Sequence, residues 1–188
     1  MDLEKVSEKI KNCEKCELFK ERNNTVPGKG NPKAEIIFIG EAPGKNEDLQ
    51  GIPFIGRAGN VLSELLEGIN LKREDIFITN IVKCRPPSNR DPTPEEMKIC
   101  SPYLDEQIRL IKPKVIVPLG RFAMGYVLKK YNLPEKPITQ AHGEYYKVNT
   151  LENNLLIMPM YHPAATIYSP SKINDLKADF EKLKKLIE

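Results

Sequence analysis

Four short apolar runs, each closing on a polar motif, constrain this chain more than any other feature. Ile36-Ile37-Phe38-Ile39 leads into Gly40-Glu41-Ala42-Pro43-Gly44, and Ile76-Phe77-Ile78 closes on Thr79-Asn80. The run 115–119 ends in Gly120-Arg121-Phe122, and Leu155-Leu156-Ile157-Met158-Pro159-Met160 precedes His162-Pro163-Ala164-Ala165. Runs this short, rich in Ile, Val and Phe, read as buried strands. In an open parallel sheet the carboxyl ends of the strands face one crevice, where ligands bind. A Glu, an Asn and a His from distant parts of the chain are therefore expected to share one pocket.

The stretches between these runs have helical periodicity. Leu3, Val6 and Ile10 share a face in 2–12, as do Val61, Leu62, Leu65 and Leu66 in 58–68, where Gly68 is a candidate stop. The segment 94–111 has the clearest start, with Thr93 as cap, Pro94 at the first helical position and Glu96 three residues after the cap. Its inward face is Cys100, Leu104, Ile108 and Ile111. A last helix over 171–187 buries Ile173, Leu176, Phe180, Leu183 and Ile187. A Gly/Pro loop over 24–33 enters the first strand, and 145–148 reads as a short edge strand. Strands alternating with helices predict one domain over 1–188. Its expected fold is three-layer α/β/α around a central, mainly parallel four-stranded sheet.

Composition removes several classes of function. At 188 residues the chain is long enough to bury a sizeable core. A net charge of +3 means that any nucleic-acid surface is a local patch and not a global basic character. No stretch approaches the ~20 apolar residues of a membrane span, and the start lacks an apolar signal region, so a cytoplasmic location away from the membrane is expected.

The four cysteines are the second strong signal. Cys13-Glu14-Lys15-Cys16 is a chelating pair, and Cys84 and Cys100 lie far downstream. In a reducing compartment four such thiols read as metal ligands, for zinc or for an iron–sulfur cluster. The wide spacing of the second pair is not that of a zinc ribbon. Two buried structural cysteines and a coincidental pair are the plainer alternative. Four thiolate ligands leave no open position for substrate, so the site is expected to be structural.

Taken in order, four motifs closely resemble the family 4, thermostable iron–sulfur uracil-DNA glycosylases. They are Gly40-Glu41-Ala42-Pro43-Gly44-Lys45-Asn46-Glu47-Asp48, Pro53-Phe54-Ile55-Gly56-Arg57-Ala58-Gly59, Thr79-Asn80-Ile81-Val82-Lys83-Cys84-Arg85-Pro86-Pro87-Ser88-Asn89-Arg90 and Tyr161-His162-Pro163-Ala164-Ala165. The resemblance runs from Cys13 to about Ala165. It implies the uracil-DNA glycosylase fold, a 4Fe-4S cluster on Cys13, Cys16, Cys84 and Cys100, and uracil-containing DNA as substrate. The implied reaction is hydrolysis of the bond between deoxyribose and uracil, with no lyase step. A sliding clamp is a candidate partner, and the chain is expected to act as a monomer.

The resemblance also implies roles that the chemistry of each residue suits. Asn80 can accept from uracil N3–H and donate to O4, a pattern that cytosine reverses. Phe54 would stack on a base taken out of the duplex. His162 would donate to uracil O2, where negative charge develops. Glu41 first, and then Glu47, are the candidates to handle the attacking water. The related family 1 enzymes place Asp where this chain has Ala42, which here lines the base pocket, and a thymine-excluding Tyr where it has Gly44. Glu47 is the expected substitute wall against thymine. Arg57, Ser88, Asn89 and Arg90 are expected to contact DNA, with Lys83, Arg85 and Lys172 as further members of a basic rim. Ile167 or Tyr168 is a candidate wedge. Two alternatives stand beside this reading: a covalently trapping variant of the same fold, and a non-catalytic nucleic-acid-binding metalloprotein. Residues 85–92 carry neither the inserted basic loop nor the His of the trapping variant.

Overall fold

A computed structural model describes residues 2–149 and 154–187. The elements are α1 (Leu3–Lys11), β1 (Lys29–Gly30), β2 (Ile36–Gly40), α2 (Lys45–Gln50), α3 (Arg57–Gly68), β3 (Phe77–Asn80), α4 (Pro94–Ile111), β4 (Val115–Pro118), α5 (Gly120–Lys130), α6 (Ile138–Ala141), β5 (Tyr146–Asn149), β6 (Asn154–Ile157), α7 (Ala165–Tyr168) and α8 (Lys172–Ile187). The sheet order is β1-β3-β2-β4-β6-β5. The four inner strands are mutually parallel, as the apolar runs predict. Antiparallel strands flank them, making six strands where four were expected. One is the edge strand foreseen near 145–148; the other, Lys29–Gly30, is two exposed residues with no apolar signal.

Parallel strands covered by helices on both faces need apolar side chains on both faces. β2 supplies them: Ile37 and Ile39 join a cluster with α4 and α5, whereas Ile36 and Phe38 join α3 and α8 on the other side. Phe38 stacks on Phe180 of α8 at 5.8 Å between ring centroids. α5 is a helix that the sequence reading stopped short of. Gly120 and Gly125 weaken its signal, yet Ala123, Met124, Val127 and Leu128 form a buried face. Gly68 does not stop α3. It is the helix's last residue, Ile69 caps it, and the left-handed turn falls at Asn70 (φ 60°).

The start of α4 is as predicted. Thr93 Oγ1 accepts the Glu96 amide at 3.2 Å, and the Glu96 carboxylate accepts the Thr93 amide at 2.8 Å. Such a cap contributes roughly 0.5–2 kcal/mol. Glu96 also takes a two-pronged ion pair from Arg90, at 2.9 and 2.6 Å. The cap thereby fixes the loop that crosses the ends of the strands.

Candidate active site

Register brings the polar strand ends together. Gly40 sits opposite Asn80 at the last paired position of β2 and β3. Leu119, just past β4, bridges Met160 in parallel, two residues before His162. A cavity of about 340 Å³ opens over these ends, lined among others by Glu41, Ala42, Glu47, Phe54, Asn80, Asn89, Arg90 and His162. Gly40 is needed at its floor: a Cβ there would stand 2.8 Å from the Phe54 ring and collide with Asn80 Oδ1.

Phe54 is buried and holds a left-handed backbone (φ 54°), a conformation a bulky residue adopts only when its surroundings impose it. Its ring lies 5.4 Å from the His162 ring at an interplanar angle of 29°. The loop carrying it is held by Glu47, whose Oε1 accepts the amides of Ile55 and Gly56 at 3.0 and 2.9 Å, at the start of α3. A helix N-terminus favours an anionic partner.

His162 Nδ1 accepts the amide of Ala164 at 3.1 Å. A ring nitrogen that accepts carries no proton, so Nε2 holds the N–H. Burial pushes the imidazole pKa down to about 4, against an opposing pull from Glu47, so the ring is neutral at pH 7. The site thus holds a neutral donor.

Glu41 lines the same cavity. Burial, aided by repulsion from Asp91 and opposed by Arg121, raises its pKa to about 7. Asp91 and Arg121 form an ion pair at 3.0 Å. Neither was singled out from sequence. The available signal was that Gly120-Arg121 also follows a strand, at the same end of the sheet.

The expected DNA-contacting residues divide. Arg57 is exposed at the start of α3, and Ser88 and Asn89 are exposed on a short turn where both have left-handed backbones (φ 54° and 55°). Arg85 donates to Asn89 Oδ1 at 2.7 Å, and Arg90 is committed to Glu96. Lys172 lies over the Tyr161 ring at 3.7 Å, beside His162. Lys83 is not on the rim. It is 1% exposed, and its Nζ donates to Thr79 Oγ1, Asn80 O and Gln107 Oε1 at 2.6, 2.7 and 2.8 Å. Burial pushes its pKa down to about 7, and Cys100 and Asp105 draw it back up.

All four cysteines line one small cavity on the α1–α4 side and form no disulfide. Arg22 Nη1 donates to Cys84 Sγ at 3.3 Å and to the Cys13 carbonyl at 2.7 Å. The Lys83 amide donates to Cys100 Sγ at 3.3 Å. Burial pushes the Cys100 thiol up to about 11 and raises Cys16 and Cys84. A ligand would have to displace those protons. Among the described residues, no group of three or more His, Cys, Asp and Glu is placed to hold a single metal ion. No helix among them is long and apolar enough to cross a membrane.

Comparison with known proteins agrees with this geometry. Residues 27–186 match the family profile described as the uracil DNA glycosylase superfamily. The chain is 48% identical to the type-4 uracil-DNA glycosylase of Saccharolobus solfataricus over 187 residues, covering 99% of this chain and 87% of that one. It is 47% identical to the Archaeoglobus fulgidus type-4 enzyme, covering 98% and 92% of the two chains. Identity to the Thermotoga maritima type-4 enzyme is 42%, covering 99% and 95%.

Proposed function

This chain belongs to the uracil DNA glycosylase superfamily and, within it, to the type-4 enzymes, and from that membership we propose that it excises uracil from DNA by hydrolysing the N-glycosidic bond. The observation that carries the reading is the convergence of Asn80, Phe54, His162, Glu41 and Glu47 on one cavity at the carboxyl ends of parallel strands. Those side chains supply what the reaction needs. Asn80 reads the base edge, and Phe54 gives the extruded base a stacking surface worth roughly 1–3 kcal/mol. Neutral His162 aims its Nε2–H at uracil O2 as charge develops on the leaving base.

Glu41 is the base that takes a proton from the attacking water, since its pKa near 7 lies where a general base works best. Glu47, held by two amides, stabilises the cationic sugar and walls the pocket. A Cβ on Gly44 would lie 2.8 Å from Glu47 Oε2, so the carboxylate fills the space beside Gly44. Ala42 presents only a methyl group to the base pocket. A fixed wall is what thymine exclusion requires, because a loose apolar pocket separates one methyl group by only ~1–3 kcal/mol. Arg57, Ser88 and Asn89 contact the DNA backbone. Arg90 acts through Glu96 by shaping the loop. Tyr168, 87% exposed at the end of α7, is the wedge that fills the gap left by the flipped base.

The cysteine donors fit a 4Fe-4S cluster. Four cysteine residues lining one cavity supply the four thiolates that such a cluster takes. Cys13, Cys16, Cys84 and Cys100 would hold the cluster, which supplies a structural cross-link between the 13–16 segment, the loop after β3 and α4. The protein acts on uracil-containing DNA as a monomer, and a sliding clamp is a further candidate partner. The test is incubation with an oligonucleotide bearing one uracil, beside a thymine control, followed by alkali. Strand breaks only in the uracil strand are expected; none at any temperature that preserves the fold would overturn the reading.

A further inference from the structure

We propose that Lys83 is a positioning residue for uracil recognition, bracing the strand end that carries Asn80 against the cysteine-bearing segment. This rests on the reading of Asn80 as the residue that recognises the base.

Lys83 is buried, and among the described residues its Nζ has no carboxylate in contact. Its three bonds go to groups that can only be accepting there. Asn80 O is a carbonyl. Thr79 Oγ1 spends its proton on Pro27 O at 2.9 Å, and Gln107 presents Oε1 because its Nε2 donates to Pro27 O at 2.7 Å. Three acceptors in hydrogen-bonding range match the three N–H groups of an ammonium. Burying such a group is costly unless each hydrogen bond is made, so its cage is rigid.

The cage joins two regions. Lys83 and Cys84 are consecutive, and the Lys83 amide donates to Cys100 Sγ on α4. On the other side the ammonium holds the carbonyl of Asn80 itself, and it holds the hydroxyl of Thr79, which pairs with Ile39 in the neighbouring strand. On the β2 side the backbone is held by the Ile81 and Val82 amides, which donate to the carbonyls of Gly40 and Glu41 at 3.0 Å each. Lys83 fixes the far side of the same peptide, and so the direction in which the amide side chain leaves the strand.

The test is a double-mutant cycle on iron-loaded protein, read by affinity for two duplexes. One carries uncleavable 2′-fluoro-deoxyuridine, and the other an abasic analogue with no base to read. Lys83→Met is expected to weaken binding of the uracil duplex by roughly 10- to 100-fold, the scale of hydrogen bonds to a charged group. Affinity for the abasic duplex should be unchanged. In an Asn80→Ala background the Lys83 effect should vanish, since both changes remove the same recognition. Equal weakening of both duplexes, or effects that multiply in the double mutant, would overturn the proposal. If Lys83→Met loses iron or fails to fold, Gln107→Met decides the matter, because it removes one cage member and leaves Lys83 and every cysteine in place. Its effect should have the same selectivity and be smaller. Failure of the glycosylase reading itself appears separately, as a wild-type protein with no preference for the uracil duplex.

Discussion

His162 Nδ1 accepts the amide of Ala164, two residues further along its own chain, at 3.1 Å. That short bond fixes which nitrogen carries the proton, and with it the sign of the charge offered to the substrate. Replacing His162 with Ala should lower the single-turnover rate by roughly 10²–10³, the usual loss for a donor at a developing anion. Affinity for abasic DNA should be kept. Because the ring pKa lies near 4, the wild-type rate should have no inflection near pH 6.5 that disappears in this variant. Rates measured from pH 5 to 9 for both proteins check this.

Glu41 gives the pH dependence its expected direction. A base with a pKa near 7 is protonated, and inactive as a base, below that pH. The rate should therefore climb through about pH 7 and level off above it, and Glu41→Gln should abolish the climb together with most of the activity. The same shift makes a stability prediction of opposite benefit. The folded pKa lies above the unfolded one, so this carboxyl destabilises the fold once ionised: fully above pH 7, and not at all below pH 4.5. Melting curves should show Glu41→Gln more stable than wild type at pH 8 and equal to it at pH 4.

Gly40 is where the floor of the pocket has no spare volume. Gly40→Ala forces a methyl group against the Phe54 ring and Asn80 Oδ1. Overpacking of this kind costs about 1–3 kcal/mol, measurable by denaturant unfolding. The uracil rate should fall further than the stability loss accounts for, because the two displaced groups are the ones proposed to hold the base.

Tyr168 offers a test that separates duplex opening from chemistry. Tyr168→Ala should slow excision from double-stranded DNA several-fold while leaving single-stranded substrate unaffected, since only a duplex leaves a gap to fill. Parallel rates on the two substrates decide it.

Removing iron from the proposed cluster should loosen the cysteine segment before it harms the sheet. After chelation under reducing conditions, trypsin should cut at Lys15 or Lys20 much faster than in the loaded protein. Far-UV circular dichroism should remain close to that of the loaded form. Simultaneous loss of all structure would show that the cross-link supports the whole fold.

The parallel core and the pocket were legible because each rests on a local signal. Apolar runs gave the strands, and the polar residues after them gave Glu41, Asn80 and His162. The start of α4 was legible from Thr93, Pro94 and Glu96 alone. What escaped depended on pairing at a distance. β1 exists because the Lys29–Gly30 backbone meets Ile78 and Phe77, and two polar residues carry no trace of that. Lys83 read as a surface cation because its acceptors come from Thr79, Asn80 and distant Gln107, a cage that no spacing rule encodes. The pairing of Arg90 with Glu96 was hidden in the same way, Glu96 having been read only as part of the helix cap. α5 was obscured by its own glycines.

Glu47 and Asp48 are neighbours on α2 that work in different directions. Glu47 grips the Phe54 loop through Ile55 and Gly56, whereas buried Asp48 accepts the amide and side chain of Asn23 at 3.0 and 2.5 Å, next to Arg22 and its cysteine contacts. Successive helical residues are turned by about 100°. Deleting or inserting one residue between Gly44 and Glu47 would swing both carboxylates off their partners at once. Lineages descending from this chain can therefore drift in composition across the exposed positions of α2, but the number of residues in it is frozen.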